Sequence, residues 1–73
     1  MINIALIGLG RIGQMHGENL ILHNDYKLKY VFDVDEKLTS KISKKLNSKA
    51  INNPRVAFKD EEIDVIFVAS STS

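Results

Sequence analysis

The stretch IALIGLGRIG, residues 4–13, decides the fold, because three glycines with the spacing G-x-G-x-x-G follow an apolar run. An apolar run bounded by glycine predicts a strand that is buried on both faces, and we place this strand at residues 2–7. The residues after the glycines have the pattern of a helix. A strand, a glycine turn and a helix in this order are the context in which this spacing binds a dinucleotide.

Each glycine has a separate task in such a site. Gly8 lets the chain turn out of the strand, Gly10 lets the backbone approach a pyrophosphate, and Gly13 lets the helix pack closely on the strands. The N–H groups of Gly10, Arg11 and Ile12 would hold the phosphates at the start of the helix, where the helix dipole favours negative charge. The arginine side chain could add positive charge or point to solvent.

Further along the chain, helical and extended patterns alternate. The first helix is expected from Arg11 to about Leu22, and residues 28–33 predict a second strand. The apolar residues expected on the inward side of the first helix are Ile12, Met15, Leu20 and Ile21. Asp35 is the expected cap of a second helix. The inward stripe of that helix consists of Leu38, Ile42 and Leu46.

The last third of the chain continues the alternation. A short strand is expected at residues 49–51, and Asn53 followed by Pro54 predicts the capped start of a short helix that ends near Lys59. Residues 63–69 are apolar and predict a fourth buried strand. Alternating strands and helices predict an α/β fold, half of a doubly wound Rossmann sheet with parallel strands in the order 3-2-1-4, truncated after the fourth strand.

Asp33 lies at the end of the second predicted strand, about twenty residues after the glycines, where an acid binds the adenosine ribose. The alternative is that this residue only starts a turn. A carboxylate here would repel the 2′-phosphate of NADP, and the next residues are Val34, Asp35 and Glu36 rather than arginine. The sequence therefore favours NAD over NADP as the cofactor.

Composition excludes several other functions. The chain has 73 residues, a net charge of +1 and no cysteine, so it has neither a disulfide nor a thiolate metal site. Its two histidines lack the partners of a metal centre. The lysines between Lys37 and Lys49 surround an apolar stripe without interleaved aromatic residues, which is typical of a solvated helix face rather than of nucleic-acid binding. Without a leader pattern or a membrane-length apolar run, the expected compartment is the cytoplasm.

Two further features have alternative interpretations. His16 follows Ile12 by one helical turn, and a structural histidine is the expected role rather than a catalytic one. Ser70, Ser71 and Thr72 follow the fourth predicted strand at its carboxyl end, where ligands bind in such sheets. These hydroxyl residues would line the cofactor cleft, or they would form a plain loop with a helix cap.

Taken together, the stretches IGLGRIGQMHGENL, VFDVDEK and EEIDVIFVASSTS resemble the N-terminal part of the Gfo/Idh/MocA oxidoreductases, and within them the inositol dehydrogenases. The resemblance covers residues 1–73, in the family's order and spacing. It implies that the glycine loop binds the pyrophosphate of NAD(P), that Asp33 binds the adenine ribose and that residues 70–72 line the cofactor cleft. It also implies hydride transfer between a sugar or cyclitol hydroxyl carbon and the nicotinamide.

The family's catalytic lysine, in a Glu-Lys-Pro motif, has no counterpart in this sequence. We therefore expect residues 1–73 to be the first portion of a dinucleotide-binding domain, without catalysis of their own. Two other functions stay open: a non-catalytic module that senses NAD, and a structural fragment that binds no cofactor. The fourth strand, with its outer edge uncovered, predicts self-association of the chain.

Overall fold

The computed structural model describes residues 1–69, which form a parallel sheet with helices on both faces. The elements are β1 (Ile2–Ile7), α1 (Arg11–Leu20), β2 (Tyr26–Phe32), α2 (Glu36–Lys45), β3 (Lys49–Ala50), α3 (Arg55–Lys59) and β4 (Val65–Val68). The strand order is β3-β2-β1-β4, which confirms the predicted half of a doubly wound sheet. Ser70, Ser71 and Thr72 lie outside the described residues.

The central strand β1 pairs with β2 on one side and β4 on the other. Its residues Ile4, Ala5 and Leu6 are buried, as the prediction of a strand covered on both faces requires. In β4 the prediction of complete burial is wrong, because Val65 and Val68 are 43% and 63% exposed. Within the described residues, β4 has a paired neighbour only on the β1 side, so part of its apolar surface faces solvent.

The core has one layer on each face of the sheet. On one face, α1 and α2 cover β1 and β2, and Ile42 and Leu46 of α2 are buried there as predicted. On the other face the short helix α3 places Ala57 against Tyr30. A five-residue helix covers little area, so this second layer is the smaller of the two.

The predicted inward face of α1 is wrong for Ile12, Met15 and Ile21, whereas Leu20 packs against the core. Ile12 and Met15 are 52% and 51% exposed, whereas Gly13 and Gly17 face the sheet. A Cβ atom on Gly17 would lie 2.6 Å from Cδ1 of Leu46. At positions 13 and 17 the helix lies so close to the glycine turn, to Leu46 and to Leu6 of β1 that only glycine fits without a shift, and Ile12 and Met15 are turned outward.

Several predicted element ends also differ from the structure, among them those of β4, which spans Val65–Val68 rather than residues 63–69. Helix α1 ends at Leu20 rather than near Leu22, and β2 starts at Tyr26, two residues before the predicted strand. In α3 the cap position is Pro54, but the Oδ1 atom of Asn53 still accepts a hydrogen bond from the N–H of Arg55 at 2.9 Å. Helix and strand ends are the least determined feature of a local sequence pattern because they depend on such individual contacts.

A cluster of ion pairs and hydrogen bonds links the connection between α3 and β4 to strand β2. Lys29 Nζ lies 2.5 Å from Oδ2 of Asp60 and 2.9 Å from Oε1 of Glu62. The hydroxyl of Tyr30 donates to the same Asp60 oxygen at 2.6 Å. The hydrogen bonds from Lys29 and Tyr30 lower the pKa of Asp60 from 3.8 to about 2. In turn, the hydrogen bonds to Asp60 and Glu62 raise the pKa of Lys29, and the hydrogen bond to Asp60 raises the pKa of Tyr30.

Candidate functional site: the glycine loop and Asp33

The glycine loop begins with Gly8, whose φ of 98° lies in the left-handed region that favours glycine. The N–H of Gly8 donates to the carbonyl of Phe32 at 2.8 Å, which ties the turn to the end of β2. Leu9 is fully buried in the core, and its carbonyl accepts a hydrogen bond from the side chain of Gln14 at 3.0 Å. The hydrogen bonds to Phe32 and from Gln14 therefore hold the loop in place without a ligand.

Gly13 brings α1 into direct contact with this turn. A Cβ atom at this position would overlap the carbonyl oxygen and carbon of Gly8. No residue with a side chain fits there unless the helix moves away from the loop. The third glycine of the motif therefore sets the distance between the turn and the helix, as predicted for close packing.

The amino end of α1 has no cap from a side chain. The N-cap residue Gly10 has an extended backbone (φ −67°, ψ −171°), and the first turn contains no acidic residue. An α-helix leaves the N–H groups of its first turn without acceptors inside the helix, and the first intrahelical bond here runs from Gln14 to Gly10. A Cβ atom on Gly10 would meet nothing within 4 Å, so the space in front of the helix is open.

Asp33 lies beside the loop, directly after β2. Its Oδ2 atom accepts a hydrogen bond from the N–H of Leu9 at 2.8 Å, and its Oδ1 atom accepts one from the N–H of Asp35 at 2.9 Å. The residue does more than start a turn, because its carboxylate joins the glycine loop to the β2–α2 connection. A carboxylate has about four acceptor positions, so about two remain for a ligand.

Two clefts meet at Asp33. One, with a volume of about 340 Å³, is lined by residues of the glycine loop and by Phe32, Val34 and Ala69. The other, of about 500 Å³, runs between the ends of β2 and β3 and includes Thr39 and Ile51 in its lining. An elongated ligand could therefore extend from the amino end of α1 across Asp33 to the edge of β3.

The remaining predicted residues take different positions. Arg11 and Ile12 lie at the open end of α1 with exposed side chains, whereas Ser70, Ser71 and Thr72 are beyond the described residues. The ring of His16 packs against that of Phe67 with 4.7 Å between the ring centres, a contact typical of a structural histidine. Residues 1–69 hold no group of three His, Asp or Glu side chains that could bind a metal ion. In the same residues, no helix has the length and apolarity to cross a membrane.

Sequence reasoning did not find Thr39 as part of this site. Its side chain is buried under the β2–α2 connection and contacts the backbone of Asp33. The available signal was a hydroxyl residue on the inward side of a predicted helix, six positions after the candidate ribose ligand.

Comparison with known proteins places this geometry among oxidoreductases. A family model described as "Oxidoreductase family, NAD-binding Rossmann fold" (GFO_IDH_MocA) matches residues 2–73. The myo-inositol 2-dehydrogenase of Thermotoga maritima is 39% identical over 71 residues, which make up 96% of this chain and 21% of that enzyme.

Two solved structures have the same fold over nearly the whole chain. A myo-inositol dehydrogenase from Corynebacterium glutamicum is 28% identical with a TM-score of 0.87, over 97% of this chain and 21% of that one. The myo-inositol dehydrogenase of Lactobacillus casei, solved with NAD(H) and myo-inositol, is 23% identical with a TM-score of 0.86, over 96% of this chain and 22% of that one. At that identity the likeness concerns the fold alone. The chain thus spans about a fifth of the length of the relatives it matches.

Proposed function

The chain belongs to the Gfo/Idh/MocA oxidoreductase family with its NAD-binding Rossmann fold, and from this premise we propose that it is the NAD-binding part of a dehydrogenase. The amino end of α1 would hold the pyrophosphate, and the Asp33 carboxylate would bind the adenosine ribose. The bound cofactor supplies the carbon that accepts the hydride. The groups that act on the substrate belong to parts of the protein beyond these residues.

The hydrogen bond between the Asp33 carboxylate and the N–H of Leu9 carries this proposal. It holds a carboxylate beside the loop proposed to bind the phosphates, and this supports the proposal because a dinucleotide site needs a ribose acceptor next to its phosphate loop. The residues also fit the ligand's charge, because the first turn of α1 contains no acid and Gly10 leaves its front open. Unsatisfied N–H groups and the helix dipole favour an anion in that space.

The surroundings of Asp33 support NAD over NADP. A 2′-phosphate on the ribose would meet the carboxylate of Asp33, and Glu36 lines the same cleft. The first positive residue after β2 is Lys37, which is exposed on the first turn of α2. Two negative groups facing a phosphate disfavour the phosphorylated cofactor.

For the parent enzyme we propose hydride transfer between a cyclitol or sugar hydroxyl carbon and the nicotinamide. The similarity to the Thermotoga maritima and Corynebacterium glutamicum enzymes, both named for myo-inositol, supports this substrate class. For Ser70, Ser71 and Thr72, which lie outside the described residues, the proposed role is to line the cofactor cleft.

The test is a two-dimensional amide NMR titration of the 73-residue chain with NAD and then with NADP. We expect shifts at residues 8–13 and at Asp33, at lower concentrations of NAD than of NADP. Asp33→Ala should weaken NAD binding about tenfold or more, because the ribose hydroxyls lose a charged acceptor. Asp25→Ala, which removes an exposed acid outside the site, is the matched control. Dispersed spectra that do not respond to either nucleotide would overturn the proposal.

We also propose that the 73-residue chain associates with itself through β4. The opposite edge strand, β3, has only two residues and contains Lys49, whereas β4 presents the exposed Val65 and Val68. Long apolar edges pair with other chains, and charged edges resist pairing. Sedimentation velocity should show concentration-dependent dimers that Val68→Lys weakens. A monomer at all concentrations would contradict this proposal.

A further inference from the structure

Thr39 is a buried hydroxyl residue in the first turns of α2, with 4% of its surface exposed. Its Oγ1 atom accepts a hydrogen bond from the N–H of Asp33 at 2.9 Å. The same atom lies 3.0 Å from the carbonyl oxygens of Asp33 and Asp35. A threonine hydroxyl has one proton and two lone pairs, so it donates to these carbonyls in alternation while it accepts from Asp33.

These contacts fix the backbone of Asp33, whose carboxylate is the proposed ribose acceptor. The N–H of Asp33 follows the last residue of β2, and its acceptor in the described residues is the Thr39 hydroxyl. Without this hydroxyl, a partly buried N–H would lack its acceptor, and the chain at Asp33 would gain freedom to rotate. The carboxylate would then leave the positions at which it meets Leu9 and Asp35.

We propose that Thr39 is a positioning residue for the Asp33 carboxylate, and through it for a ribose diol in the cleft between β2 and β3. The inference deepens the proposed function and rests on it, because Asp33 is the group that would meet the ribose. Thr39 also lines this cleft, but its hydroxyl is engaged by the backbone of Asp33 and Asp35, so we assign its effect on a ligand to the orientation of the carboxylate.

A second buried hydroxyl provides the matched control. Ser43 lies one turn further along α2, and its Oγ donates to the carbonyl of Ser40 at 2.8 Å. It is nearly as buried as Thr39, and its described hydrogen bond stays within the helix. Loss of a buried helix hydroxyl as such would therefore affect both positions alike.

The experiment measures NAD dissociation constants for Thr39→Val, Thr39→Ser and Ser43→Ala. Valine keeps the shape of threonine without its hydroxyl, and we expect NAD affinity to fall about tenfold. Serine restores the hydroxyl, and its affinity should return to within about threefold of that of the unmodified chain. Ser43→Ala should leave the affinity unchanged.

A double-mutant cycle separates positioning from general loosening. If Thr39 acts through Asp33, then Thr39→Val should not reduce affinity further in the Asp33→Ala background. A full additional loss in that background would overturn the inference.

A measurement without ligand keeps the test independent of NAD. Amide hydrogen exchange in Thr39→Val should accelerate at Asp33, and also at Leu9 and Asp35, whose N–H groups bind the carboxylate. Unchanged exchange at Leu9 and Asp35 would overturn the inference. If the unmodified chain does not bind NAD, the proposed function fails first and the ribose role of Thr39 with it. If it binds NAD and Thr39→Val binds equally well, only the inference fails.

Discussion

The amino ends of α1 and α2 face the same edge of the sheet, but only the end of α2 is capped by a side chain. At α2 the Oδ1 atom of Asp35 accepts a hydrogen bond from the N–H of Leu38 at 3.1 Å, and Glu36 adds negative charge to the first turn. At α1 the cap is Gly10, with neither a side-chain acceptor nor an acid in the first turn. The chain caps one helix end itself and leaves the other without a side-chain partner, which is what the proposed phosphate site requires.

The two helices also differ in how they pack. Helix α2 contacts the sheet through the side chains of Leu38, Ile42 and Leu46, whereas α1 turns Gly13 and Gly17 toward it. Side-chain packing keeps a helix at a distance, and a glycine face lets it approach. The close approach of α1 at Gly13 brings its open end onto the glycine turn, so the packing of the helix sets the position of the proposed phosphate site.

The substitution Gly13→Ala should have the largest effect. Its Cβ would collide with the backbone of Gly8, which cannot move aside as a flexible side chain can. We expect a loss of about 3 kcal/mol in the free energy of unfolding, measured by urea denaturation, together with loss of NAD binding. In the control Gly17→Ala, the added Cβ meets the movable end of Leu46, so the loss should be smaller. Equal losses in the two variants would contradict the backbone collision.

Gly10→Asp converts the end of α1 into the kind of end that α2 has. The extended backbone of Gly10 suits a capping residue, so this variant should be about 1 kcal/mol more stable than Gly10→Ala. Its carboxylate would occupy the place of the phosphates, and NAD affinity should fall about a hundredfold. Titration calorimetry of both variants measures the difference. If the aspartate variant binds NAD as well as the alanine variant does, the anion does not lie at this helix end.

Asp35→Ala is the reverse change at α2. Loss of the cap should lower the free energy of unfolding by about 1 kcal/mol, and Asp35→Ser should recover most of it. The N–H that donates to Asp33 belongs to the backbone and stays in place, so NAD affinity should remain within about threefold. Urea denaturation and NAD titration of the same samples check both expectations. A large loss of affinity would mean that the α2 end takes part in binding.

The smallest expected effect concerns Asp60, which lies between α3 and β4, away from the amino ends of α1 and α2. Acid unfolding measures it. The pKa of Asp60 is lowered from 3.8 to about 2 in the folded chain, so its charge stabilises the fold above pH 3.8. That contribution is lost as the pH falls from about 4 to about 2. Asp60→Asn should therefore flatten this part of a plot of Tm against pH. Glu61→Gln, which alters an exposed neighbour, should leave the acid slope unchanged.

Local sequence patterns predicted a structural feature correctly wherever the residues that cause it lie within one short stretch of the chain. The capping of α2 by Asp35 and its buried Ile42 and Leu46 followed from residue spacing, and the comparisons confirm the recognised family. The face of α1 was predicted wrongly because periodicity counts apolar side chains. The period of apolar side chains does not indicate that two glycines form the inward face of the helix. The cofactor roles of Gly8, Gly10 and Asp33 stay predictions until a nucleotide is titrated.

Contacts between distant residues were beyond such patterns. Lys29 and Asp60 are 31 positions apart, and each taken alone is an ordinary charged residue. Thr39 looked like a neutral member of a helix, although its hydroxyl binds the backbone of Asp33. Lys29 and Asp60 come together through the crossover of the chain, which no local composition or period marks. Thr39 and Asp33 are only six positions apart, but their contact depends on the shape of the turn between β2 and α2.

By itself the sequence determined the order of the strands and the family. It also determined the glycine turn before α1 and the capped start of α2, because the glycine spacing and the capping residue Asp35 act over a few positions each. Only the tertiary structure decided which side of α1 faces the sheet and that Asp33 is bound to Leu9. The physical reason is that packing selects among faces and partners by the fit of the whole fold. A glycine or a carboxylate has the same local propensity whether or not a neighbour from another strand lies against it.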